Sequence, residues 1–190
     1  MVARRVLIAA LFVACASGAA QAAPPKAAQM AAPNAAPATE VRCPDITGPV
    51  SEADIHCALA RWVAAGNRRS PAEVTALYAP DHVLLLSTLH PEPYTTTPAI
   101  RAYFQALVTR PGFGVALTSP PEKIDLFTGG GADSGFYKFR WLDSGAEKVT
   151  PARFTFVFVL DPARRQLVIA THHSSALPAS HARAAPHHRR

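Results

Sequence analysis

The clearest pattern in the chain runs from Ala152 to Leu160, where Phe154, Phe156, Phe158 and Leu160 share one side and Arg153, Thr155, Val157 and Val159 the other. A period of two is that of a β-strand with one face buried. The short turn Asp161-Pro162-Ala163-Arg164-Arg165 leads into a second run, Leu167-Val168-Ile169-Ala170-Thr171-His172-His173-Ser174-Ser175, which is expected to pair antiparallel with the first. The same reasoning predicts strands at 82–88, 115–127 (interrupted by Pro120-Pro121), 134–142, 150–160 and 166–175. Gly129-Gly130-Gly131 reads as a turn, and no helix opens behind it to make a phosphate loop.

Helical spacing comes earlier in the chain. Ser51 and Asp54 resemble a capping box, and Ile55, Leu59, Trp62 and Val63 follow on one face. Ser70-Pro71-Ala72-Glu73 is a fuller capping box that opens a short helix through Val74, Leu77 and Tyr78. Thr97-Pro98 starts a third, with Ile100, Tyr103, Phe104, Leu107 and Val108 as its apolar face and Pro111-Gly112 as its stop. Three helices in the N-terminal half followed by an antiparallel sheet define an α+β fold.

The ends follow different rules. Residues 1–22 carry Arg4 and Arg5, an apolar run too short to span a bilayer, and Ala20-Gln21-Ala22, which together read as a cleaved secretory signal. Cys15 is a poor lipidation site, because the residue three before it is Phe12 rather than leucine or another aliphatic. Residues 23–42 are rich in Ala and Pro and form a tether, 43–178 form one domain, and 179–190 form a basic, His-rich tail expected to be disordered. The expected location is therefore periplasmic or secreted, without stable membrane insertion.

Charge changes the picture only at the ends. The chain has 19 basic and 13 acidic residues, but removing Arg4, Arg5, Arg183, Arg189 and Arg190 leaves 14 against 13. A nearly neutral fold argues against nucleic acid as a partner, since phosphate binding needs clustered charge on the fold. After cleavage two cysteines remain, Cys43 and Cys57, and an exported chain favours a disulfide between them over two free thiols. His82 and His90 lack a spacing partner for a metal, and nothing in the chain points to a cofactor.

Five fragments in one order carry a resemblance: Leu77-Tyr78-Ala79-Pro80-Asp81, Ile100-Arg101-Ala102-Tyr103-Phe104, Gly135-Phe136-Tyr137, Ala152-Arg153-Phe154-Thr155-Phe156 and His172-His173-Ser174-Ser175. They resemble the bacterial SgcJ/EcaC-type relatives of the calcium/calmodulin-dependent kinase II association domain. That group belongs with the cone-shaped folds of nuclear transport factor 2, ketosteroid isomerase and the SnoaL cyclases. The resemblance implies a curved sheet around helices, self-association, and a pocket lined by basic and polar side chains. On this likeness Arg153 and Lys138 match two of three pocket arginines, Ser174 replaces the third, and His172 beside Ser174 faces the cavity.

Physics supplies its own expectation for Arg153. A guanidinium entering a strand of Phe, Thr and Val needs a partner, either an anionic ligand or a structural acid such as Asp81 or Glu73. Trp62, Tyr78 and Tyr137 are core aromatics that also line such a cavity. Asp125 and Asp133 fall near predicted strand ends and Asp143 in a turn, which leaves His172 or His173 as the only bases in a strand interior. The function expected is an exported, homodimerising module that binds a small, anionic molecule. The alternative is an isomerase, cyclase or lyase with His172 as its base. Metal capture by His181, His187 and His188 is the weakest reading, because the tail fixes no geometry.

Overall fold

The computed structural model describes residues 39–178, with the backbone alone described at 119–122. The signal, Cys15, most of the tether and the basic tail therefore lie outside the described residues. The chain forms α1 (Glu52–Asn67), α2 (Pro71–Ala76), β1 (Leu84–Leu86), α3 (Thr97–Val108), β2 (Gly114–Phe127), β3 (Gly130–Asp143), β4 (Ala146–Asp161) and β5 (Gln166–Ala176). The strands make one sheet in the order β1-β5-β4-β3-β2, antiparallel except where β1 runs parallel to β5.

Local chemistry explains the boundaries. At α1 the Ser51 hydroxyl accepts from the Asp54 N–H while the Asp54 carboxylate accepts from the Ser51 N–H at 2.9 Å, so both halves of the capping box are present. At α2 only one half forms. Ser70 caps the Glu73 N–H, but the Glu73 carboxylate turns to Arg68 instead. α3 ends ahead of Gly112, whose φ of +65° favours a residue without a Cβ. The first strand is shorter than its sequence suggests because His82 takes φ +55° and breaks the extended run. The glycines after Phe127 do more than turn: Gly130 and Gly131 belong to β3, and a Cβ on Gly131 would lie 2.9 Å from Ile55 Cδ1. Gly131 lets α1 approach the sheet closely.

The long β2 changes register between Thr118 and Lys123, around Pro120-Pro121, where prolines cannot donate to the ladder. A second irregularity matters more. Val157 pairs with Thr171 while the next residue, Phe158, pairs with Ile169, so Ala170 is an extra residue in β5. Before it Leu167 and Ile169 point to the helices; after it His172 and Ser174 do. One inserted residue thus exchanges the faces of the rest of the strand.

The core lies between the helices and this face of the sheet. Ile55, Leu59 and Trp62 from α1 and Ile100, Phe104 and Leu107 from α3 meet Tyr137, Phe139, Phe154, Phe156 and Phe158, all of them buried. Each such side chain contributes roughly 1.5–3 kcal/mol on burial.

Ahead of α1, residues 39–46 form a strap over the outside of the helix. Cys43 is bonded to Cys57, the Ile46 N–H donates to the Arg165 carbonyl at 2.9 Å, and the Gln166 amide donates to the Cys43 and Pro44 carbonyls. Residues 39–42, placed in the tether by composition, take part as well, since Arg68 donates to the Thr39 carbonyl at 3.2 Å. A cross-link over 14 residues restricts the unfolded chain and is expected to stabilise the fold by about 3 kcal/mol. Urea unfolding of the Cys43→Ser/Cys57→Ser variant should show a loss of that order, and a midpoint equal to that of the parent would contradict it.

Candidate functional site

The inward half of β5 carries two polar residues into an aromatic core. His172 is 2% exposed. Its ring stacks on Phe156 with centroids 3.9 Å apart and meets the edge of Trp62 at 5.2 Å. Both ring nitrogens are engaged: the Tyr78 hydroxyl lies 2.8 Å from Nδ1 and the Tyr137 hydroxyl 3.2 Å from Nε2. Beyond them, Trp62 Nε1 donates to the Tyr78 oxygen at 3.2 Å, Tyr137 donates to Ser174 Oγ at 2.5 Å, and Ser174 contacts the Thr88 hydroxyl.

These bonds can be assigned a single direction. The Tyr78 oxygen accepts from Trp62, so its own proton is satisfied by donating to Nδ1. A neutral imidazole must then carry its proton on Nε2 and give it to the Tyr137 oxygen, which in turn donates to Ser174. Ser174 passes the last proton to Thr88. The opposite tautomer would leave the Tyr78 O–H without an acceptor inside an apolar core, at a cost of about 1–3 kcal/mol.

Burial fixes the protonation states. It is the main cause that lowers the His172 pKa to about 3, with a smaller contribution from His173. It also raises Tyr78 and Tyr137 far above the ordinary tyrosine range. At neutral pH the network is uncharged, and the one basic lone pair on His172 is already taken by Tyr78. The cluster can hold a fixed hydrogen-bond order, but no free proton acceptor is left in it.

The cations expected beside His172 lie elsewhere. Arg153 is exposed on the opposite face of the sheet, where its Nε donates to Ser175 Oγ at 2.9 Å, and Lys138 is exposed on the same outer face. The strand period requires this, because Arg153 is three residues from Phe156, the register partner of His172. Neither proposed acid is its partner: Glu73 pairs with Arg68 and Asp81 is exposed. Trp62, Tyr78, Tyr137, His172 and Ser174 are therefore brought together, while Arg153 and Lys138 are separated from them by the thickness of the sheet. Arg153 instead borders an outer depression of about 350 Å³ with Lys123, Ser134, Phe136, Thr155 and His173.

Two inward residues were missed by sequence reasoning. Thr88 ends the strand expected at 82–88 but lies beyond the observed β1, and nothing in its spacing marks it as a partner of Ser174. Asp133 is fully buried inside β3, between Ile124 and Phe156, rather than near a strand end. Its even spacing from Gly135 and Tyr137 was the available signal. His90 bonds locally to Glu92, and among the described residues no group of three or more His, Cys, Asp or Glu side chains could hold a metal ion. No described helix is long and apolar enough to cross a membrane.

Comparison with known proteins agrees with this architecture. Residues 51–178 match the family model of the calcium/calmodulin dependent protein kinase II association domain. A Xanthomonas campestris structure described as such an association domain is 26% identical, with a TM-score of 0.61 over 75% of this chain and 97% of that one. A nuclear transport factor 2-like superfamily protein from Salmonella enterica is 14% identical, with a TM-score of 0.59 over 70% and 96%. A ketosteroid isomerase-like protein from Erwinia carotovora is 14% identical, with a TM-score of 0.57 over 66% and 95%. No curated protein matches. The fold is nuclear-transport-factor-2-like, with helices of the N-terminal half packed on a mostly antiparallel open sheet.

The sealed imidazole has a measurable consequence. Its folded pKa, about 3, lies below the ordinary 6.5, so the unfolded chain takes up the proton first as pH falls. Stability is full above about pH 6.5 and declines toward pH 3, with a slope approaching 1.4 kcal/mol per pH unit for this one group. Unfolding measured against pH should show that extra slope in the parent but not in His172→Gln. Coincident slopes would mean that the ring is not held neutral.

Proposed function

Because the chain belongs to the calcium/calmodulin-dependent protein kinase II association-domain family, we propose that it is an exported, self-associating module that binds a small anionic molecule and performs no chemistry of its own. The observation that carries this reading is the network around His172, in which both ring nitrogens are bonded to tyrosine hydroxyls. A side chain so placed builds a core and does not move a substrate proton.

Self-association uses the outer face of the sheet. There Phe136, Val157 and Val159 stay partly exposed on the side opposite the helices, an apolar strip that a second copy would cover. The outer depression, with Arg153, Lys123 and His173 around it, is the place for a small anion, and Lys138 adds charge on the same face. The Ala20-Gln21-Ala22 pattern and the Cys43–Cys57 bond support export.

The enzyme alternative draws its support from Asp133 rather than from His172. A fully buried carboxyl, here between Ile124 and Phe156, is the kind of base that proton-moving isomerases use. Deuterium exchange next to the carbonyl of a ketone probe, present in the parent and lost in Asp133→Asn, would favour it.

Light scattering after size-exclusion chromatography tests the main reading. The parent should run as a dimer at micromolar concentration, and Val157→Asp should run as a monomer with an unchanged circular dichroism spectrum. A monomeric parent would overturn self-association. Mass spectrometry of the exported protein should find a mature chain beginning at Ala23.

A further inference from the structure

Between the strap, α1, the end of α2 and the start of β5 lies a groove of about 730 Å³. That volume suits a small organic molecule. Three guanidinium groups, Arg42, Arg61 and Arg68, line it against two carboxylates, Glu40 and Glu73. The pairings use up both acids. Arg42 binds Glu40 at 3.0 Å, and Arg68 binds Glu73 at 2.5 Å.

Arg61 is left with a neutral partner. Its Nη1 donates to Gln166 Oε1 at 3.0 Å, and the orientation of that amide is fixed because Gln166 Nε2 donates to the strap carbonyls of Cys43 and Pro44. The half-buried guanidinium lines the groove. Burial and then the nearby Arg164 hold its pKa below the usual arginine value, against a smaller opposing pull from Glu40. A partly desolvated cation whose side-chain partner is a neutral amide attracts an anion. Ala65, Ala76 and Leu77 supply apolar wall beside it.

We propose that this groove is a binding site for a small organic carboxylate, whose charged end meets Arg61 and whose apolar body lies along Ala65, Ala76 and Leu77, with the Cys43–Cys57 bond holding the strap that forms its outer wall. The site is separate from the outer depression at Arg153 and does not depend on self-association. A carboxylate suits it because one guanidinium offers parallel N–H donors to two oxygens. The acids already present, Glu40 and Glu73, would repel a more highly charged ligand.

Calorimetric titration of the full oxidised chain with benzoate tests the assignment. Benzoate should bind saturably and acetate, which lacks the apolar body, more weakly. Arg61→Gln should weaken benzoate about tenfold or more, the loss of a charge-assisted pair, while Arg153→Gln should leave it unchanged. Cys43→Ser/Cys57→Ser should also bind more weakly with its circular dichroism spectrum retained. Equal affinity in Arg61→Gln and the parent, or no saturable binding up to about 10 mM, overturns the site, whatever the cysteine variant does. Loss of binding in Arg153→Gln alone would place the anion on the sheet instead.

Discussion

The extra residue at Ala170 is the constraint on which the interior depends. A β-strand has two sides and a fixed period, so the parity of a position decides whether it meets the core or the solvent. β5 begins with Leu167 and Ile169 inward, and without the insertion Thr171, His173 and Ser175 would continue that face. With it, His172 and Ser174 enter the core and meet residues from α1, the segment after α2, and β3. The insertion is held in place from outside the β4–β5 pair. The Ala79 N–H donates to the Ile169 carbonyl at 2.9 Å, and the Ile169 N–H donates to the Leu77 carbonyl at 2.8 Å.

Bringing polar groups into an aromatic core is costly unless every donor finds an acceptor. Here the costs cancel because the groups form an ordered series from an indole N–H to a terminal hydroxyl, with an imidazole that accepts on one side and donates on the other. Replacing any member by an apolar residue would orphan its neighbours, so the cluster ties together parts of the chain distant in sequence. The Trp62–Tyr78 bond spans 16 residues and the Tyr78–His172 bond 94. Specific placement of α1 and α2 against the sheet follows from these directional bonds, which non-directional burial alone would not impose.

Much of the fold was legible in the sequence, because its signals are local. The Phe154-Phe156-Phe158 alternation, the Ser51–Asp54 box and the Pro98 start each depend on neighbours a few positions away, and each appears where the pattern placed it. The site was less legible, because it depends on parity summed across a bulge. Nothing near Ala170 announces an added residue. Arg153 lies on the other side of the sheet for a related reason: the resemblance and the need of a guanidinium for a partner both group it with His172, while its own period against Phe154 sets it outward. Asp133 reads as a strand-end residue because Gly129-Gly130-Gly131 has the composition of a turn, whereas Gly130 and Gly131 extend the strand. Arg61 gave no signal at all, since its setting is made by residues 39–46 and 166, far from it in sequence.

Two of the strap's attachments differ greatly in reach. Its sulfur bridge closes over 14 residues, whereas its bonds to Gln166 join positions 122 and 123 apart. Loop closure makes the near attachment available early, when little more than the first helix exists, and the distant one only once the final hairpin has formed. The wall over Arg61 accordingly depends on contacts made between the two ends of the domain. A chain that stopped before its last strand would lack Gln166 and its hold on the strap, so the groove exists only where the first and last segments of the domain have met.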